Sequence, residues 1–327
     1  MKKTLKLFLV VCLLVTVCPA CSNPNNTTTT SKEEATELQP SPVADFEYQV
    51  RDEGGIEITK YIGTDDHVVI PQTIDNQEVV VIGKRSFDGT DIVSVVMPDT
   101  VIYISPRAFL GCENLIDVKM SDSLITVGEG AFINCTSLTS VDLSTVKYID
   151  HNAFYGCRSL KTIKFGDNVQ MIRDQAFYEC VSLEEAILPK NLQEIGQYAF
   201  GCCSSIRKIW IPKTLEDWGW VPFTENNAVT EIIFEDGLKK IGSYGGFDSC
   251  QVEVLRIPAS VEYIADAAFG MFPNLKEVYF DGDAPEVSAH GKIFTMLGQE
   301  LKVYYNPSMS GWDTTPLRDQ YTLIPLS

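Results

Sequence analysis

VKYIDHNAFYGCRSLKTIKFGD (146–167), NVQMIRDQAFYECVSLEEAILPK (168–190) and NLQEIGQYAFGCCSSIRKIWIPK (191–213) are three consecutive versions of one pattern. Each is anchored on a phenylalanine, usually after alanine. Working outward, the anchor recurs at Phe87, Phe109, Phe132, Phe154, Phe177, Phe200, Phe223, Phe247, Phe269 and Phe294, at spacings of 22 to 25 residues. A fixed period of this length marks a stack of identical supersecondary units. Other columns travel with the anchor. Five residues before it stand Ile82, Ile104, Val127, Ile149, Ile172, Ile195, Trp218 and Ile264; three after it stand Cys112, Cys135, Cys157, Cys180, Cys203 and Cys250. Coil seven departs from the pattern, with Asn226 where a cysteine belongs.

Each unit closes on two apolar residues separated by one variable residue, as in Val118/Met120, Val141/Leu143, Ile163/Phe165 and Ile209/Ile211. Period two with one apolar face is the signature of a half-buried strand. Pro98, Gly166, Pro189, Pro212 and Pro258 then stop the strand and turn the chain. The fold class predicted is a repeat solenoid. It has a parallel β-sheet of one short strand per 22- to 24-residue coil and mostly irregular or short-helical turns on the other side. With about 4.8 Å between strands, ten coils would extend about 45–50 Å. One coil buries about seven side chains for a gross 10–20 kcal/mol. Ordering its backbone costs at least that much, so neighbouring coils must supply the difference.

The pattern resembles the BspA-like family of leucine-rich repeats, with the form I-x-x-x-A-F-x-x-C-x-x-L-x-x-I-x-I-P, and differs from the commoner L-x-x-L-x-L-x-x-N type. The resemblance is strong over 79–280. It implies a bacterial surface protein, since the family includes proteins that bind host matrix proteins or other bacteria. The flanks suit the ends of such a stack. FEYQVRDEGGIEITKYIG (46–63) alternates around Glu53-Gly54-Gly55 and reads as a hairpin. The expected organisation is a capping hairpin in 43–78, the solenoid of about ten coils in 79–302, and a C-terminal cap in 303–327, where VYYNPSMSGW (303–312) supplies a last strand and a turn at Trp312.

Residues 1–20 read as an export signal: Lys2, Lys3 and Lys6 precede an apolar run from Leu7 to Val17 that is short for a membrane span. The run ends at Cys18-Pro19-Ala20-Cys21, which resembles the processing site of bacterial lipoprotein precursors, although Cys18 stands where an aliphatic residue is usual. The resemblance implies a lipid anchor on Cys21 and a cell-surface location; simple cleavage near Ala20 is the alternative. Residues 21–42 offer almost nothing to bury and read as a disordered tether, about 25 Å long on average. The formal charge is −18, and −21 without the three leader lysines, which disfavours nucleic acid and anionic bilayers as partners.

Nothing in the sequence reads as a catalytic centre. There is no G-x-S-x-G elbow, no phosphate loop and no dinucleotide motif. His67, His151 and His290 are scattered and Cys202-Cys203 has no second pair, so no metal or cofactor is expected. Of ten cysteines, Cys12, Cys18 and Cys21 belong to the leader or the lipidation site. Six of the other seven share one repeat position. Stacked coils bring such residues within disulfide range, but side chains in a ladder point the same way, which favours buried thiols over bonds.

The candidate site is the outward column of the strands. It begins mixed (Val96, Lys119, Asp142, Lys164) and continues as Ile187, Trp210, Ile233, Arg256, Tyr279 and Tyr304. Its neighbouring outward column holds Glu185, Lys208, Glu231 and Glu277. An apolar and aromatic strip rimmed by charge is how protein contact surfaces look. The reading is an adhesion or interaction module for a protein on host matrix or a neighbouring cell. Alternatives are carbohydrate binding through Trp210, Tyr279 and Tyr304, or a spacer without a ligand. Trp218 is expected inside, and Trp220 and His151 in a solvated column.

Overall fold

The computed structural model describes residues 38–327 apart from 243–245, 288–291 and 298–299. The export signal, Cys21 and the tether as far as residue 37 lie outside the described residues, as does His290. Among the described residues no helix is long and apolar enough to cross a membrane.

The apolar pair of each coil forms the expected strand. Among the described residues twelve such strands run from His67–Val69 through Thr162–Phe165, Glu185–Ile187, Lys208–Ile211, Glu231–Phe234, Val254–Ile257, Glu277–Phe280 and Lys302–Tyr305 to Thr322–Pro325. Pairing is parallel and in register, with Ala186 opposite Ile209 and Ile209 opposite Ile232. The last strand extends the stack beyond the terminal strand expected at 303–305, because Val303 pairs with Leu323. The sheet is also discontinuous. Among the described residues it falls into four ladders, with interruptions after Lys119, Phe165 and Phe234.

A second sheet lies on another side of the coil, where the sequence reading placed mostly irregular or short-helical turns. Its strands are two residues long in most coils: Tyr103–Ile104, Thr126–Val127, Tyr148–Ile149, Met171–Ile172, Glu194–Ile195 and Asp217–Trp218. They hold the isoleucine column five residues before each anchor. The ladder starts at the antiparallel pair Phe46–Val50 and Ile56–Tyr61 and runs without interruption to Trp218. Two-residue strands carry too little periodicity to be seen in the sequence.

The third side is a turn built on the anchor. The N–H of Phe109 donates to Ala131 O at 2.7 Å, that of Phe132 to Ala153 O at 2.7 Å and that of Phe154 to Ala176 O at 2.7 Å. Left-handed residues flank the anchor two positions before and two after, as at Arg107 (φ 62) and Gly111 (φ 69). Glycine takes this conformation freely, whereas Gln175, Glu179, Tyr198 and Cys202 also hold it against their Cβ atoms.

The interior is a ladder of rings. Phe109, Phe132, Phe154 and Phe177 are fully buried and stack with centroids 5.0, 5.1 and 5.2 Å apart and planes within 2°. At the C-terminal end Trp312 is buried, stacks on Tyr305 at 4.9 Å and donates from Nε1 to Gly282 O at 3.0 Å.

The described cysteines are all free thiols, and only Cys202 is not fully buried. The thiols from Cys112 to Cys203 in this column donate to the carbonyl of the anchor one coil back: Cys112 to Phe87 O at 3.0 Å, Cys135 to Phe109 O at 3.1 Å, Cys157 to Phe132 O at 3.2 Å, Cys180 to Phe154 O at 3.4 Å and Cys203 to Phe177 O at 3.1 Å. The column is therefore a hydrogen-bond ladder as well as a filler of volume. Asn226 keeps its place in that ladder. Its Nδ2 donates to Phe200 O and Phe223 O, both at 3.0 Å, and its Oδ1 accepts from Cys203 N at 2.9 Å.

Candidate functional site

Register puts the predicted outward residues side by side, but in two groups rather than one strip. Ile187 pairs with Trp210 and Trp210 with Ile233. Arg256 pairs with Tyr279 and Tyr279 with Tyr304. The ladder is interrupted between Ile233 and Arg256, which belong to different sheets. The second group gains Ile324, paired with Tyr304. That residue was missed because the final strand was.

The first group forms part of a basin of about 530 Å³. Ile187, Trp210 and Ile233 line it together with Ile163 and Phe165, and Lys164, Lys190, Lys208 and Asp167 complete its edge. The sequence pattern makes Ile163 and Phe165 an inward, buried pair. Here both are only half-buried, because the ladder stops between Thr162–Phe165 and Glu185–Ile187 and opens a crevice beside them. Phe165 sets its ring edge against Phe177 at 5.8 Å. No sequence signal marks the interruption, since the pair itself looks like any other.

The second group is a stack. Tyr279 and Tyr304 lie face to face with centroids 4.7 Å apart and planes 10° from parallel, and the Arg256 guanidinium sits 5.7 Å from the Tyr279 centroid. Arg256 and Tyr304 belong to the strands on either side of Tyr279, so both faces of that ring are covered. The Tyr279 hydroxyl donates to Glu277 at 2.8 Å, and this bond to a carboxylate raises its pKa above the ordinary phenol value. The flanking charges are engaged with each other as well: Lys208 meets Glu231 at 3.4 Å, while Glu185 stands opposite Lys208 in register. Exposed pairs of this kind hold side chains in place but are worth only about 0–1 kcal/mol.

Elsewhere the chemistry is quiet. His151 is partly exposed between Asp174 at 3.5 Å and Asp150 at 3.8 Å. Burial pushes the thiols of Cys157, Cys180, Cys203 and Cys250 far up, the opposite of what a nucleophile needs. Among the described residues no group of three or more His, Cys, Asp or Glu is placed to hold a metal ion. Trp220 is 55% exposed. Trp218 is half-buried against the core with its ring edge toward Phe247 at 6.0 Å, and its Nε1 has no hydrogen-bond partner.

Comparison with known proteins agrees with this geometry. The family model for the BspA type leucine rich repeat region matches in six copies, over residues 80–203, 143–245 and 194–290. A leucine-rich repeat protein of T. pallidum is similar in structure, with TM-score 0.50 and 26% identity over 64% of this chain and 90% of that one. A leucine-rich cell surface protein of Faecalibacterium prausnitzii has TM-score 0.37 and 19% identity over 76% of this chain and 90% of that one. The pneumococcal vaccine antigen PcpA has TM-score 0.43 and 17% identity over 80% of this chain and 79% of that one. No curated protein matches the chain.

Proposed function

The chain belongs to the BspA-type leucine-rich repeat family, and on that premise we propose that it is a non-enzymatic interaction module displayed on a bacterial surface, binding a protein of host matrix or a neighbouring cell. In this reading an export signal in 1–20 delivers the chain, lipid on Cys21 anchors it, and residues 21–42 hold the repeats away from the bilayer. The partner lies on the broken sheet face. Ile187, Trp210 and Ile233 contact it in the basin, and Arg256, Tyr279 and Tyr304 extend the contact.

The observation that carries this reading is the basin, a concave, largely apolar surface of about 530 Å³ lined by the half-buried Trp210 with Ile187 and Ile233. Concave apolar floors with an aromatic anchor and a charged edge are where binding energy concentrates. The ring geometry favours a protein over a glycan. Sugar stacking needs a free aromatic face, whereas Tyr279 is covered on both sides by Arg256 and Tyr304. The test is capture from host-matrix and cell-surface extracts by the full chain, followed by affinity measurement for the captured protein. Trp210→Ala and Tyr279→Ala should each weaken binding by about 2 kcal/mol or more, with melting temperature little changed. Unaltered affinity in both variants would sink the assignment.

A further inference from the structure

Lys164, Lys190 and Lys208 line the basin beside Asp167, although the chain as a whole is strongly acidic. In the outward column of the apolar floor Lys164 comes before Ile187, and Arg256 follows Ile233 outside the basin, across the interruption of the ladder. Lys164 reaches Asp142 at 2.8 Å and Arg256 reaches Asp281 at 3.5 Å, but their side chains are 70% and 67% exposed. Such pairs exchange readily for a better partner. Lys190 is exposed, and among the described residues no carboxylate lies within ion-pair distance of it. A net charge of −18 would repel an acidic partner at long range. However, salt at physiological strength limits that field to about 8 Å, and the nearest charges to the floor decide.

From this juxtaposition we propose that the basin takes an extended, acidic-ended segment of a partner protein, lying along the repeat axis with its apolar side chains on Trp210 and its carboxylates on Lys164, Lys190 and Arg256. The dimensions agree. Lys164 and Arg256 are four strands apart, at least about 19 Å at 4.8 Å per paired strand, since two of the four steps cross interruptions of the ladder. In an extended chain the first and seventh residues are about 20 Å apart and point the same way as the third and fifth. The segment is thus at least seven residues long, acidic at its ends, with apolar residues between them at alternate positions such as the third and fifth. This rests on the sheet-face reading above and gives its partner a chemistry.

The test uses the full chain and fluorescein-labelled heptapeptides. One carries Asp at both ends and Leu and Phe at the third and fifth positions. A second carries Lys at both ends, and a third has the acidic ends but Ser in place of the apolar pair. The acidic-apolar peptide should bind at least tenfold tighter than either control. Trp210→Ala should abolish the difference from the Ser peptide, and the double change Lys190→Glu with Arg256→Glu should reverse the preference between acidic and basic ends. Equal binding of acidic and basic peptides, with Trp210→Ala still harmful, would overturn this inference and leave the sheet face standing. Absence of binding by every peptide would overturn it too, and the capture experiment would then judge the sheet face separately. The surface charge changes leave the buried ladders alone, so an unchanged melting temperature shows that folding is intact.

Discussion

The coils from Phe109 to Phe177 and the coil around Phe223 share a pattern but not its regularity. In the first, ring planes lie within 2° and centroids 5.0–5.2 Å apart. In the second, Phe200, Phe223, Phe247 and Phe269 are separated by 5.7, 5.5 and 5.8 Å. Between coils seven and eight both strand ladders are interrupted, the narrow one after Trp218 and the wide one after Phe234. Three departures coincide there. An extra residue stretches the spacing to 24, Trp218 replaces the isoleucine, and Asn226 replaces the cysteine. A solenoid coil gains its stability from its neighbours, so a change in one coil is felt at the interface rather than inside the unit. The asparagine compensates locally with three hydrogen bonds where cysteine makes one.

Alkali should separate the two regions most strongly. Burial holds Cys135, Cys157, Cys180 and Cys203 protonated in the fold, with pKa values raised well above that of a free thiol. The unfolded chain ionises them from about pH 8.5 upward. Their contribution is intact below that pH and is lost as pH rises above it, at about 1.4 kcal/mol per pH unit for each thiol. By pH 10 the four together remove on the order of 8 kcal/mol, enough to melt the regular coils. Urea midpoints between pH 7 and 10 would measure this, and a flat profile would contradict it. Coil seven has no thiol in the column, and its hydrogen exchange should respond least.

Smaller effects sharpen the contrast. Phe154→Ala empties a fully buried site between rings 5.1 and 5.2 Å away and should cost about 3–5 kcal/mol. Phe247→Ala, between rings 5.5 and 5.8 Å away, should fall at the low end of that range because the looser site can close. Equal losses in urea denaturation would show that the interruption does not loosen the core. Asn226→Ala leaves Cys203 N, Phe200 O and Phe223 O without partners and should cost about 2–3 kcal/mol. Asn226→Cys restores the ladder bond to the preceding anchor and should cost only about 1 kcal/mol. If the two variants lose the same amount, the bonds of Asn226 are not what holds the coil.

Some features were legible because they are periodic. The anchor, the isoleucine column, the cysteine column and the alternation of the wide strand each repeat with the coil, and burial follows directly from such repetition. Trp210 and Tyr279 could be placed on the outer face for that reason alone. The two-residue strands and the left-handed turn positions were not legible. Two residues show no period, and glycine marks only some of the turns, with Arg107, Gln175 and Tyr198 taking the same conformation elsewhere. The count of wide strands was short by two, because neither His67–Val69 nor Thr322–Pro325 belongs to a segment carrying the phenylalanine anchor.

The sequence by itself determined a stack of coils with phenylalanines and cysteines inside and alternate strand residues outside, because each coil carries the same short-range pattern. Only the tertiary structure decided where the wide sheet is interrupted. That choice turns Ile163 and Phe165 into the wall of a basin, joins Lys164 and Lys190 to its edge, and parts Ile233 from Arg256. Pairing between coils depends on how the side chains of two adjacent turns fit together, a property that no single repeat carries.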